Sequence, residues 1–300
     1  MAHSLFGVKP SSKDLEPAMN SLSDFTLIII RLWIWLFLLA AVFVPLERVF
    51  TLRSQRIFRQ SIWTDIGYYF LSSLCSALLL GAPLALVSQA SQAILPSFVG
   101  STLDSWPLWL KVVLSLVIGD IGYYWSHRLA HEIPLLWRFH SIHHAPTELD
   151  WLVNTHAHPV DILFTRFCAL LPLSVLGLGN LAGSAPDGSS SSALFLEILT
   201  LVGTIWGFFI HANLSWRVRP LEQLLTTPAF HHWHHTNDGP AFINKNYAAM
   251  FPFIDRIFGS FYLPSDHRSE SFGLAEEIPT GFIDELLHPF ETQTSNSSQS

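Results

Sequence analysis

The fold is decided by an apolar run that passes directly into histidines, residues 109–144, WLKVVLSLVIGDIGYYWSHRLAHEIPLLWRFHSIHH. The apolar part approaches the length of about 20 residues that a helix needs to cross a bilayer. Similar runs occur at 25–45, 63–87, 160–178 and 193–209. A backbone in lipid must satisfy its own hydrogen bonds, so such runs form helices. We therefore predict an all-α fold, a polytopic helical bundle in a membrane.

The composition excludes several classes of protein. Half of the 300 residues are hydrophobic and only 13% are charged, which disfavours a soluble globule. The 16 basic residues are outnumbered by 23 acidic residues, so we expect no nucleic-acid partner. Both cysteines, Cys75 and Cys168, lie within apolar stretches. They do not suffice for a disulfide framework or a thiolate metal site.

The basic residues between the apolar runs predict the orientation of the bundle. Four arginines lie between positions 48 and 59, after the first run, whereas the connections 88–105 and 179–192 contain no basic residue. Short loops rich in Lys and Arg stay in the cytoplasm. The loops then alternate across the membrane, and the histidine-rich segments fall on the cytoplasmic face. The first run lacks a small-residue cleavage site after a short apolar core, so we expect a retained anchor.

The histidines are the second unusual feature of the chain. Twelve of the 15 lie between His127 and His235. Eight of these form an HxxxH motif and two HxxHH motifs, whose members share one face of a helix: His127 and His131; His140, His143 and His144; His231, His234 and His235. Neutral imidazole is the commonest metal ligand in proteins. Eight imidazoles exceed the needs of one ion and predict a site for two, of iron, copper, zinc or nickel.

Further polar residues lie near these motifs. His158 precedes the fourth apolar run and His211 follows the fifth, at the same membrane face, and both are candidate ligands. His158 is favoured over the neighbouring His156. His232 is expected either behind the ligands or at the surface. Asp120 is expected to accept a hydrogen bond from a ligand imidazole or, equally, to join helices by a hydrogen bond. The histidines expected to lie outside the site are His3, His267 and His288.

Two segments carry a resemblance to a known family. They read GDIGYYWSHRLAHEIPLLWRFHSIHHAPTELDWLVNTHAHP (119–159) and TTPAFHHWHHTNDGPAFINKNYAAMFPFIDRIFGSFYLP (226–264). Their motifs and the order of these motifs resemble the fatty acid hydroxylase and sterol desaturase superfamily, especially bacterial sterol-desaturase-type proteins and the alkylglycerol monooxygenase branch. The resemblance implies ten metal ligands: His127, His131, His140, His143, His144, His158, His211, His231, His234 and His235. A register through His232 in place of His231 stays open, and Asn154 and Asn246 resemble polar positions of the family.

The resemblance also implies an activity. Members are integral-membrane oxygenases in which two iron ions use O2 and two external electrons to hydroxylate or desaturate a C–H bond of a lipid. The resemblance places a catalytic domain in 107–264, whereas the apolar runs and the composition predict a leader and anchor helices in 1–106 and a polar tail in 265–300. Electrons are expected from a separate donor protein or a reduced pterin, because the chain has no nucleotide, haem or iron–sulfur motif.

Several points stay open at this level. The substrate is a fatty acyl chain, a sterol, an ether lipid or a carotenoid, and the oligomeric state is unknown. Four tryptophans are expected either to line the entrance to the metal site or to belong to the aromatic belt at the membrane interface: Trp125, Trp137, Trp151 and Trp233. The alternative function is that of a histidine-rich membrane metal-binding protein, a haem carrier or a metal transporter. A transporter would place its ligands near the middle of the bilayer rather than beyond the helix ends.

Overall fold

Helices joined by irregular segments make up the part of the chain that the computed structural model describes, which is residues 12–96, 102–103, 105–178, 190–276 and 278–291. Within these residues there is no β-strand, only two isolated bridges, so the predicted all-α fold is confirmed. The helices are α1 Ser12–Val49, α2 Ile62–Leu79, α3 Gly81–Ile94, α4 Leu108–Glu132, α5 Pro134–His144, α6 Pro159–Val175, α7 Ser190–His211, α8 Pro228–His234, α9 Pro252–Phe258 and α10 Phe282–Leu287.

Three helical segments are long and apolar enough to cross a membrane, by length and composition. They are Ser23–Val49 in α1, Ile62–Ile94, which combines α2 and α3, and Leu108–Glu132, which is α4. The other two predicted runs are also helical but shorter. Helix α6 has 17 residues, and the apolar helix within α7 covers Ile198–His211.

The chain divides into two compact units, Met1–Pro45 and Leu46–Ser300. The described part of the first unit is helical and belongs to α1. The second unit contains every histidine motif found in the sequence. The predicted domain boundaries at residues 106 and 264 stay predictions.

Helices α4 and α6 approach each other closely at two glycines. A Cβ atom added to Gly122 would lie 2.2 Å from the carbonyl oxygen of Cys168, and one added to Gly119 would lie 3.6 Å from that of Ala169. Small residues allow helix backbones to pack closely in this way. This packing brings the C-terminal half of α4, which contains the HxxxH motif, beside α6.

Two buried aspartates hold the irregular segment that follows α8. The Asp120 carboxylate accepts the backbone N–H groups of residues 249, 250 and 251 at 2.7–3.1 Å. Asp255 accepts those of Tyr247 and Ala248 at 2.7 and 3.0 Å. The backbone N–H groups of five consecutive residues, 247–251, lie outside a helix and donate to these two carboxylates instead. Backbone N–H groups in a protein interior need such partners. Of the two roles expected for Asp120, the structure supports the packing role, because its described partners are backbone amides and not an imidazole.

Asn246 belongs to the same segment and is fully buried. Its side-chain amide donates to the carbonyl groups of Phe230 and Tyr262 at 2.9 and 2.7 Å, and its Oδ1 accepts the N–H of Tyr262 at 2.7 Å. Asn244 and Asn246 both have left-handed backbone conformations, with φ near +60°. Asparagine tolerates this region better than most residues. Asn246 thus has a structural role, fixing the path of the chain behind the histidines.

Candidate metal centre

The structure brings nine of the ten predicted ligands together in two groups, in each of which the candidate ligand atoms all lie within 4.8 Å of one another. The five-histidine group comprises His127, His131, His140, His144 and His234. The four-histidine group comprises His143, His211, His231 and His235. All nine except His131 are buried. The residues come from α4, from α5, from the last residue of α7, and from α8 together with His235, which follows it.

The spacing of each motif explains how the groups are built. Residues four apart on a helix share a face, and the pairs 127/131, 140/144 and 231/235 each fall within one group. In both HxxHH motifs the middle histidine, His143 or His234, belongs to the other group. Each HxxHH motif therefore contributes to both groups. The motif thereby links the two candidate metal positions.

The distances between ring nitrogens fit shared ions. Within the five-histidine group, Nε2 of His140 lies 3.1 Å from Nε2 of His127 and 3.2 Å from that of His144. Within the four-histidine group, the Nε2 atoms of His143, His211, His231 and His235 are linked in turn by distances of 3.0–3.2 Å. Nitrogens that bind one ion at about 2.1 Å lie about 3–3.4 Å apart. The groups thus have the dimensions of two imidazole-bound metal sites.

The outer ring nitrogens explain why Nε2 faces inward. Backbone carbonyls accept the Nδ1–H groups of four histidines at 2.7–3.0 Å: His127 donates to Tyr247, His143 to His156, His211 to Gly207 and His234 to Lys245. A carbonyl only accepts, so Nδ1 of each ring carries the proton. His131 lies 3.2 Å from Oδ1 of Asn244, and His140 lies 3.0 Å from Oδ2 of Asp161. These contacts leave the Nε2 lone pairs free for metal.

Two buried nitrogens in the five-histidine group have no hydrogen-bond partner, Nε2 of His131 and Nε2 of His234. An unpaired buried polar atom is costly. A metal ion bound by the group would satisfy both atoms. The residues present therefore fit metal ions on the chemistry of their donor atoms.

Burial and mutual repulsion favour the neutral form of five of the grouped imidazoles. Burial lowers the pKa of His143, His144, His231, His234 and His235 well below the usual range, and neighbouring histidines lower it further. Burial disfavours the charged form of a base, and so does a second positive charge nearby. Only the neutral ring binds metal, so these histidines are available as ligands at physiological pH.

His158, the tenth predicted ligand, lies outside both groups. Its Nδ1 accepts the N–H of Val160 at 3.1 Å, and its Nε2 donates to the carbonyl of Leu286 at 3.2 Å. It caps the start of α6. Both ring nitrogens are thus engaged by the protein.

His156 also lies outside both groups, between two acidic side chains. Its Nδ1 is 2.5 Å from Asp65, and its Nε2 is 2.9 Å from Glu285. Burial would lower its pKa, but the two carboxylates raise it to about 9. Arg59 pairs with Asp65 at 2.6 Å and with Asp150 at 2.7 Å, which extends the charged network. The backbone carbonyl of His156 accepts from His143, so this network lies directly behind one candidate ligand.

The remaining histidines have no place in the two groups. His232 is buried, its Nε2 lies 3.4 Å from the carbonyl of His211, and burial with the nearby Arg53 lowers its pKa to about 3. In the structure, His231 rather than His232 joins the four-histidine group. His267 pairs with Asp266 at the surface, and His288 lies 3.7 Å from Glu291. His3 lies outside the described residues.

The tryptophans named from the sequence have different surroundings. Trp151 and Trp233 are 6% and 2% exposed, so neither belongs to an interfacial belt. Trp125 is 41% exposed on α4. Trp137 packs against His131 and His144, with ring centroids 5.1 and 5.6 Å apart. Trp137 is therefore the tryptophan of the four that borders the five-histidine group.

Sequence reasoning missed the residues that hold the ligands from behind. Residues 244–247 supply the acceptors for three histidines of the five-histidine group, and Asp161 supplies one for a fourth. The NKNYA motif (244–248) was a signal for this segment, but its role is visible only in three dimensions.

Comparison with known proteins identifies the segment that carries both groups. Residues 112–260 match the family model described as fatty acid hydroxylase. Over these residues the chain belongs to the fatty acid hydroxylase family. All nine grouped histidines lie inside the matched fatty acid hydroxylase segment. The predicted resemblance is thus confirmed.

Curated relatives of this family act on lipids, according to their names. The chain is 36% identical to the ornithine lipid hydroxylase OlsE of Rhizobium tropici, over 62% of this chain and 52% of the relative. It is 32% identical to alkylglycerol monooxygenase of Danio rerio, over 59% of this chain and 35% of the relative. It is 28% identical to methylsterol monooxygenase 2-2 of Arabidopsis thaliana, over 50% of this chain and 52% of the relative. The chain thus spans about half or less of the length of these relatives. No solved structure matches the chain.

Proposed function

We propose that the chain is an integral-membrane di-iron oxygenase that uses O2 and two external electrons to hydroxylate or desaturate a C–H bond of a lipid. The observation that carries the proposal is the pair of buried histidine groups within a fatty acid hydroxylase segment. We propose as ligands the nine grouped histidines, and we leave out His158, whose ring nitrogens are both engaged.

The donor set supports iron as the metal. Imidazole nitrogens suit iron, copper, zinc and nickel, and affinity alone does not exclude zinc. The family match favours iron among these. Bound iron would supply the activation of dioxygen. The chain itself holds six of the nine imidazoles by their Nδ1 atoms and buries eight of them, which keeps water from a reactive site.

A lipid substrate is supported by the relatives and by the exposed apolar surface. The names of the relatives specify an ornithine lipid, alkylglycerols and methylsterols. Trp125 and Ile121 on α4 are exposed within two turns of His127. These side chains give α4, a helix long and apolar enough to cross a membrane, an apolar surface that lipid can contact. Which of the four lipid classes is used stays open.

The position in the membrane and the source of electrons complete the proposal. The arginine-rich connection after α1 supports a multi-pass chain with the histidine groups on the cytoplasmic face. A separate electron-donor protein or a reduced pterin would supply the electrons. A metal transporter fits less well, because the candidate ligands form two compact groups rather than a path through the bilayer.

Isotopically labelled dioxygen tests the proposed function. A host that expresses the chain is grown under 18O2, and its lipids are compared by mass spectrometry with those of a host carrying an empty vector. We expect a lipid that has gained one labelled oxygen atom, for hydroxylation, or has lost two hydrogens, for desaturation. An unchanged lipid profile with protein that holds both metal ions and is supplied with electrons would contradict the proposal.

A further inference from the structure

A carboxylate lies directly behind one candidate ligand. Oδ2 of Asp161 is 3.0 Å from Nδ1 of His140, and the two side chains are 5% and 2% exposed. The opposite nitrogen of His140, Nε2, is the one that lies close to His127 and His144. The order of atoms is therefore carboxylate, imidazole and candidate metal position.

This contact differs from the others around the two groups. Six of the nine grouped histidines have a described Nδ1 hydrogen bond, and five of these bonds end on neutral oxygens, those of four backbone carbonyls and of the Asn244 amide. Only that of His140 ends on a carboxylate. Hydrogen bonds to an ionised acceptor are about twice as strong as bonds between neutral groups. The five-histidine group thus has a feature that the described contacts of the four-histidine group lack.

The position of Asp161 in α6 supports a negative charge there. It is the acidic residue of the first turn, where the helix dipole favours an anion. The contact also holds Asp161 in place against α5. The backbone of Asp161 is thus held by α6, and its carboxylate is held by the imidazole of His140.

We infer that Asp161 is a positioning residue that makes the two metal positions unequal, so that the five-histidine group binds its ion more tightly and fills first. A carboxylate behind a ligand histidine fixes its tautomer and ring orientation and makes its other nitrogen a stronger donor. The inference rests on the proposed function, because it takes the two histidine groups as metal sites.

Metal titration of the purified full-length chain tests the inference. Metal-free protein in detergent is titrated with cobalt(II) in competition with a chelator. We expect the unsubstituted chain to bind two ions with unequal affinities. In Asp161→Asn the tighter affinity should fall by about 10–100-fold, the range seen when such partners of a ligand histidine are removed. The weaker affinity should stay the same, and the visible spectrum of the first cobalt equivalent should change.

Thr165→Val is the matched control on the same helix. The Thr165 hydroxyl is buried one turn from Asp161 and donates to the carbonyls of Asp161 and Ile162 within α6, at 2.9 and 3.3 Å. The substitution disturbs the same turn of α6 but leaves the carboxylate in place. We expect both cobalt affinities to be retained. If Asp161→Asn does not fold, Asp161→Ser, which leaves room for a water, replaces it.

Three results would overturn the inference: an Asp161→Asn chain whose tighter affinity is unchanged, one in which both affinities fall equally, or a Thr165→Val chain with the same loss. Failure of the proposed function has a different signature. In that case the unsubstituted chain itself would bind fewer than two cobalt ions.

Discussion

His144→Ala and His235→Ala are each expected to abolish lipid oxidation and to lower the bound metal from two ions to one per chain. The two residues come from different groups, and each lies 3.2 Å from a neighbouring ligand nitrogen. In the proposed oxygenase, oxygen activation would need both ions, whereas helix packing comes from the apolar helices. The changes are measured by metal analysis and by the labelled-dioxygen comparison of lipids, at matched expression.

His267→Ala is the control for these two variants. Its side chain is 52% exposed and pairs with Asp266 outside both groups. We expect metal content and product to equal those of the unsubstituted chain. Product formed by either His144→Ala or His235→Ala at normal expression would show that the ligand assignment is wrong.

Asp120→Ala is expected to destabilise the chain by about 3 kcal/mol, because the buried amide of Met250 and the part-buried amides of Ala249 and Phe251 would lose their acceptor at about 1 kcal/mol or more apiece. The same change should disturb the five-histidine group, since the neighbouring carbonyl of Tyr247 holds His127. Thermal unfolding in detergent and cobalt binding measure the two effects. Asp120→Asn retains one acceptor oxygen and should lose less stability. An Asp120→Ala chain as stable as the unsubstituted one would refute the role given to this carboxylate.

The helical class and most of the ligand set were predictable from local sequence. Apolar length predicts helices in lipid, and the three- and four-residue spacings place the histidines on shared faces. The division of each HxxHH motif between two groups was not predictable. It depends on where α5 and α8 meet, which no local pattern specifies.

The residues that hold the candidate ligands in place were missed because they contact them from distant positions in the sequence. Residues 244–247 and Asp161 hold candidate ligands in place across 11 to 120 positions of the chain. The sequence favoured His158 over His156 as a ligand, yet His158 caps a helix and His156 lies between two carboxylates. Asp120 was assigned two equal roles because its partners, the amides of residues 249–251, are about 130 positions away.

The most direct test of the account is the iron content of the full-length chain, purified without oxygen after growth with iron and measured by inductively coupled plasma mass spectrometry against protein concentration. The two buried histidine groups predict close to two iron ions per chain. One ion per chain, or none, in folded protein would contradict the di-iron centre.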